Sequence, residues 1–146
     1  MKTEAAWQVF SADWQTWHHS LATVRRRVFI EEQGVPEAME WDEHDTTARH
    51  ILALSRQQIP IGSARLLDTG QIGRMAVLPE WRHQGIGQQL LKVTLKMAQA
   101  QGLNTLFLHA QIQAASFYQP FGFVIQGEPF TEAGITHVKM YRKQSS

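Results

Sequence analysis

Residues 82–87 read Arg82-His83-Gln84-Gly85-Ile86-Gly87 and lie between a stretch of strand character and a stretch of helical period. Glycines at 85 and 87 let the backbone come close to a ligand and take conformations closed to other residues. At a helix start the unpaired N–H groups point outward with the positive end of the helix dipole behind them, a ready-made site for a pyrophosphate. Arg82 can add a charge-assisted contact to such a group. Other phosphate motifs fail on inspection: Gly87 is followed by Gln88-Gln89, not by a Walker lysine, and no third glycine completes a dinucleotide fingerprint.

Downstream of this loop, Ile86, Leu90, Val93 and Met97, joined by Leu91 and Thr94, recur at the spacing of one helix face, and the pattern stops at Gly102. Thr105 to Ala110 follows as a strand. A strand, helix, strand order without a hairpin predicts a right-handed parallel crossover. Upstream, His50 to Ser55, Ile61 to Leu67 and Gln71 to Val77 are strand candidates, separated by the turn signals Gln57-Gln58-Ile59-Pro60 and Asp68-Thr69-Gly70. Connections that short make antiparallel neighbours.

Before them, Trp7 to Phe10 reads as an opening strand, and Trp14, Trp17, Leu21, Val24 and Val28 mark a helix capped by Ser11 or Asp13 and ending near Gly34 and Pro36. From Pro36 to Ala48 the chain reads as irregular and acidic, either a solvated loop or an acidic wall facing a substrate. Arg25 to Arg27 is read as a basic run that orients these acidic residues. At the other end a shorter helix from about Ala114 to Phe121 precedes closing strands at Phe123 to Gln126 and His137 to Arg142, split by a loop from Gly127 to Gly134. The expected class is α+β around a mixed sheet, in one domain spanning residues 1–146.

Composition narrows the function. The chain has 146 residues, 14 Lys+Arg against 13 Asp+Glu, and no cysteine. A formal charge of +1 leaves no surplus of basic groups for general nucleic-acid binding. The missing cysteine excludes a disulfide scaffold, a thiolate zinc site and a cysteine nucleophile. With 43% hydrophobic residues, five Trp and seven Phe, the composition is globular, and no run approaches the roughly 20 apolar residues of a membrane span. The opening MKTEAAWQVFSADW carries Glu4 and no apolar core, unlike a signal peptide, so a cytoplasmic location is expected. Asp42, His44, Asp45 and His50 match no zinc or calcium spacing, and no metal is assigned.

The loop and its surroundings resemble the GCN5-related N-acetyltransferase family, whose acyl-CoA signature is Gln/Arg-x-x-Gly-x-Gly/Ala between the fourth strand and the next helix. Ile72-Gly73-Arg74-Met75-Ala76-Val77 is similar to the family's fourth strand, and Ala115-Ser116-Phe117-Tyr118-Gln119-Pro120-Phe121-Gly122-Phe123 to its later helix and turn. Val24 to Gln33, Glu40-Trp41-Asp42 with His50, and Glu132 to Met140 resemble the ElaA-like branch in particular. The resemblance implies a sheet splayed between its fourth and fifth strands with acetyl-CoA, a cosubstrate, in the opening. Met75, Ala76 and Val77 would pair with the pantetheine arm. An N–H around Val77 would polarise the thioester carbonyl. Arg82, His83, Gln84, Gly85, Ile86 and Gly87 would take the pyrophosphate, with Ser116 touching the cofactor.

By the same resemblance Tyr118 is the acid, since a phenol of pKa about 10 is protonated at neutral pH and can give its proton or a hydrogen bond to a thiolate leaving group. For the base, Glu32 and its neighbour Glu31 end the first helix beside the expected acceptor groove, and His109 sits at the end of the fifth strand. His50, His137 or a water chain are alternatives. The expected activity is acetyl transfer to a primary amine by direct attack in a ternary complex. The acceptor is a small amine or a peptide or protein amine, and an acidic wall of Glu31, Glu32, Glu40 and Asp42 would favour a cationic one. Two other readings stand beside it. Arg25 to Phe29 and Glu40 to Asp42 also resemble acyl-homoserine-lactone synthases, which lack the glycine loop, and the chain could be a CoA-binding module without catalysis. A strand edge near the C-terminus is compatible with a homodimer.

Overall fold

A computed structural model describes residues 6–144; the leader reading at Glu4 falls outside them. The sheet has seven strands in the order β1-β2-β3-β4-β5-β7-β6. β1 (Trp7–Ala12), β2 (Arg49–Ser55), β3 (Pro60–Leu66) and β4 (Gln71–Val77) form an antiparallel run. β5 (Thr105–Gln111) is parallel to β4, and the hairpin of β6 (Val124–Glu132) and β7 (Ile135–Lys143) closes the sheet with β7 next to β5. The class expected from the sequence, α+β around a mixed sheet, is what forms.

β2 and β3 are apolar or small at nearly every position because both faces are covered. Leu52 and Leu54 pack with Leu21 of α1 (Trp14–Arg25), whereas the alternating Ile51 and Ala53 join Ile86 and Leu90 of α3 (Ile86–Ala100); a single turn, α2 (Glu37–Glu40), lies between α1 and β2. Alternation along the strand thus places the two helices on opposite faces. α3 buries Ile86, Leu90, Leu91, Thr94 and Ala98, the stripe its spacing predicts. Asp13 caps α1, its carboxylate accepting from the Thr16 N–H at 2.9 Å.

The first helix departs from a simple α-period. From Arg26 to Glu32 it continues as a π-helix, with Gln33 N–H bonded to Val28 O at 3.1 Å, five residues back. The wider turn keeps Arg25 facing inward while carrying Arg27 to Glu80 and Glu32 to Arg82. Two other expectations need correction. The segment between Ala114 and Phe121 is a single α-turn, α4 (Ala115–Tyr118), between two 3₁₀ turns, as expected of a stretch holding Pro120. The supposed loop at 127–134 is mostly strand: β6 runs on to Glu132 through a bulge between Gln126 and Phe130, and only Ala133 and Gly134 turn the chain, both at positive φ. Gly127 and Pro129 read as loop residues because bulges use the same residue types.

Candidate active site

β4 and β5 share only the pairs Gln71↔Phe107 and Ile72↔Leu108, so beyond Ile72 the two strands part. The edge of β4 facing that gap is left without a strand partner. Leu78 N–H bonds Ile61 O on the β3 side, so by ladder alternation the peptide groups of Val77 face the gap. The Val77 carbonyl is taken by Arg82 Nε at 2.8 Å, which leaves the Val77 N–H as the polar group available there. A bulge on β4 accompanies the parting: Arg74 sits at φ 50°, and its carbonyl accepts from Ser63 Oγ at 3.1 Å.

Beyond β4 the chain turns through Pro79–Trp81 into the glycine loop. His83 and Gly85 both lie in the left-handed region, at φ 64° and 89°. Such alternation around Gln84 turns successive N–H groups to one side, an anion-binding nest that runs into the first turn of α3. Gln89 N–H is already bonded to Gly85 O, whereas the N–H groups from His83 to Gln88 have no backbone acceptor among the described residues. A side chain at Gly85 would meet nothing within 4 Å, so its constraint is conformational; one at Gly87 would come into ordinary contact with Phe117 at 3.4 Å, so the protein's own atoms do not demand glycine there. The open N–H groups fit a pyrophosphate. The Arg82 side chain does not point freely at such a ligand: its two terminal nitrogens grip Glu32 at 2.9 and 2.7 Å.

That pairing alters the reading of Glu32. Its carboxyl is held below the usual range, first by the hydrogen bond from Arg82, with burial opposing. A carboxylate stabilised as the anion is a weak proton acceptor, so Glu32 is better suited to fixing Arg82 than to serving as base. Glu31 is exposed, and His50 is buried, stacked on Trp14 at 4.9 Å and bonded through Nε2 to Asp45 O at 2.8 Å. Burial lowers the His50 pKa.

The gap opens into a cavity of about 440 Å³ whose walls include Phe29, Gln33, Arg74, Met75, His109, Tyr118, Glu132 and His137. Tyr118, reaching in from α4, places its hydroxyl 3.6 Å from Met75 Sδ. Burial pushes its phenol up to about 12, so it keeps its proton at any physiological pH. His109 enters from β5, its Nδ1 3.1 Å from Glu132 Oε1. Gln111 and Gln33 join β5 to the end of the π-helix at 2.8 Å. Ser116 is exposed on α4 and is not among the residues lining this cavity. Arg74, Glu132 and the glutamine pair carry no individual role in the sequence reading. Glu132 had a signal, its place beside Ala133-Gly134 at the head of a family-like stretch, but nothing local ties it to a histidine 23 residues earlier.

The acidic segment is neither a solvated loop nor an open wall. Arg25 Nε and Nη1 bond Glu40 and Asp45, each at 2.8 Å. Arg65 bonds Asp42 at 2.8 Å and Asp45 at 2.9 Å, and Arg74 reaches Glu40 and Asp42, each at 3.1 Å. Arg26 takes Glu37 at 2.6 Å. Arg25 and Arg26 therefore orient acidic residues of this segment, as read from the sequence, whereas Arg27 takes Glu80 outside it at 2.6 Å. The attraction expected of Glu40 and Asp42 for a cationic acceptor is cancelled by these arginines, and that of Glu32 by Arg82.

The comparisons with known proteins agree with this geometry. A family model described as an acetyltransferase (GNAT) domain matches residues 11–144. Protein ElaA of Escherichia coli (strain K12) is 32% identical over 148 aligned residues, covering 90% of this chain and 96% of ElaA. The E. coli ElaA crystal structure superposes with a TM-score of 0.82, covering 94% of this chain and 99% of that one at 31% identity. An acyl-CoA N-acyltransferase from Pseudomonas aeruginosa gives 0.81, with 93% and 97% coverage and 31% identity. A GNAT family acetyltransferase from Elizabethkingia anophelis, solved with acetyl-CoA bound, shares the fold at a TM-score of 0.65, 20% identity and coverage of 97% and 100%. The parted strands, the glycine loop and these likenesses together make the chain a member of the GNAT acetyltransferase family, on its ElaA-like branch.

Proposed function

We propose that the chain, acting as one domain, transfers an acetyl group from acetyl-CoA to a primary amine by direct attack in a ternary complex. The observation that carries this reading is the parting of β4 and β5 beside Tyr118 and His109, which puts an unpaired strand edge, a retained phenolic proton and an imidazole around one cavity. The Elizabethkingia relative with acetyl-CoA bound supports the choice of donor. Bound acetyl-CoA supplies an activated acyl carbon and a thiolate leaving group.

The chain's residues account for the rest. Met75, Ala76 and Val77 offer a free edge for the pantetheine amides. The Val77 N–H faces the oxygen on which charge develops during attack. His83 to Gly87 present the N–H nest to the pyrophosphate, Arg82 braces that loop, and Ser116, exposed outside the cavity, touches the donor. Tyr118 donates to the leaving sulfur. From a phenol near 12, full transfer to a thiolate of pKa about 8.5 runs uphill by on the order of 5 kcal/mol, which favours a hydrogen bond over proton transfer. His109 takes the proton released by the attacking amine. The acceptor is a small amine or a peptide or protein amine.

Thiol release from acetyl-CoA, measured with a polyamine, an amino sugar, a free peptide N-terminus and a lysine peptide in turn, tests the reading. Release with at least one amine is expected. Acetyl-CoA binding without release from any of them favours a binding module, and no binding at all overturns the assignment.

A further inference from the structure

We infer that Glu132 is a positioning residue that fixes the His109 ring with its proton on Nδ1 and steadies the imidazolium formed when the amine is deprotonated. The inference rests on His109 as proton acceptor and adds the residue that makes it one. It begins with strand order. Because β7 lies between β5 and β6, the register His109↔Lys139 and Gln111↔His137 on one side of β7, with His137↔Phe130 and Ile135↔Glu132 on the other, sets these side chains on one sheet face. Glu132, the last residue of β6, reaches across β7 and places Oε1 3.1 Å from His109 Nδ1.

An ionised carboxylate only accepts hydrogen bonds, so Nδ1 must carry the proton and Nε2 keeps its lone pair. Phe130 holds the ring edge-on, with centroids 5.1 Å apart and planes at 81°. The other Glu132 oxygen is 3.9 Å from Nε2 of His137, whose Nδ1 donates to Ile135 O at 2.8 Å. Among the described residues, the two basic groups within 4 Å of Glu132 are histidines, which become ion-pair partners only when protonated. The other charges near His109 are engaged elsewhere: the Lys139 ammonium lies over Phe107 at 5.1 Å, and Arg74, on the facing wall, is held by Glu40 and Asp42. Glu132 is thus the carboxylate on this cavity that no arginine neutralises. When the amine nitrogen bonds the acyl carbon and the C–S bond breaks, the nitrogen's proton passes to Nε2, and the carboxylate opposes the charge that results.

The test is long-range ¹H–¹⁵N correlation of the histidine rings in the full ¹⁵N-labelled chain, across a pH titration. Wild-type His109 is expected as the Nδ1–H tautomer. Glu132→Ala should lose that preference, whereas Glu132→Gln, whose amide oxygen still accepts, should keep it. With the first amine found to turn over, Glu132→Ala should lower kcat roughly tenfold at unchanged KM for acetyl-CoA, and Glu132→Gln should move the acid limb of kcat/KM to lower pH. An Nε2–H ring in the wild type, or variants with unchanged ring shifts and pH profile, overturns the role of Glu132. Unchanged turnover in His109→Gln overturns the base assignment, and the two failures are separately visible. The wild-type measurement needs no variant to fold, and Glu132 is half exposed and outside the buried core.

Discussion

A cluster of carboxylates, of which Glu40 lines the cavity, and a single carboxylate lining the same cavity, Glu132, have opposite chemistry. On the β4 side Glu40, Asp42 and Asp45 are matched by Arg25, Arg65 and Arg74 in a largely buried lattice. On the β5 side Glu132 stands half exposed with two histidines. The first group has little charge left to offer a ligand. The second keeps a charge that can respond to protonation. Acidic residues crowded in sequence therefore became structure, and an isolated one lines the cavity beside His109.

The largest expected effect breaks the first group. Arg25→Ala leaves Glu40 and Asp45 buried with a lost partner and also strips the guanidinium stacked on Trp41 at 5.1 Å. Unfolding by urea should show a loss of about 3–5 kcal/mol; a loss below about 1 kcal/mol would mean water enters the lattice freely. Next is Tyr118→Phe, which keeps the ring packed edge-on against Phe117 and removes only the donor. Turnover should fall roughly a hundredfold with acetyl-CoA affinity nearly unchanged, and wild-type turnover would refute its role.

A smaller effect concerns pH. Desolvation pushes Asp42 and Asp45 up, but their arginines outweigh it and hold both below the ordinary value. Carboxylates with depressed folded pKa contribute stability above the unfolded pKa of about 3.9 and lose it as pH falls through the folded values. Glu40, raised by desolvation, acts in the opposite sense. The Tm should therefore fall between about pH 5 and pH 3, more gently in Asp45→Asn, as calorimetry across that range would show. The smallest effect is at Glu32→Gln. The Arg82 pair is about one-third exposed on each side, so stability should change by less than about 1 kcal/mol. The KM for acetyl-CoA should rise as the loop loosens, while kcat holds. A drop in kcat at saturating acetyl-CoA would instead return Glu32 to the chemistry.

The β4 edge and the glycine loop were legible in sequence because their parts are local. The nest, the start of α3 and the β4 edge lie within residues 71–100, and glycine spacing and helical period report them directly. The rest of the cavity was not, because its contacts cross the fold: Glu132 to His109 over an intervening strand, Gln33 to Gln111 across the opening, Arg74 to an acidic segment more than 30 residues earlier. Histidine and glutamate look alike in sequence whether they meet or not. The same blindness to partners made Pro36–Ala48 read as a solvated loop or a substrate-facing wall, when three arginines from α1, β3 and β4 draw Glu40, Asp42 and Asp45 inward.

The π-helix has a consequence for how this chain can vary. An α-helix turns by about 100° per residue, so the extra residue absorbed by the wide turn resets the angular phase of everything after it. Deleting one residue between Arg26 and Glu32 would restore a regular helix with every bond satisfied and little local cost. It would also rotate Glu32 away from Arg82 and Gln33 away from Gln111, unfastening the donor loop and the acceptor wall together. This segment is therefore tolerant of substitution on its outer face yet intolerant of any change in length.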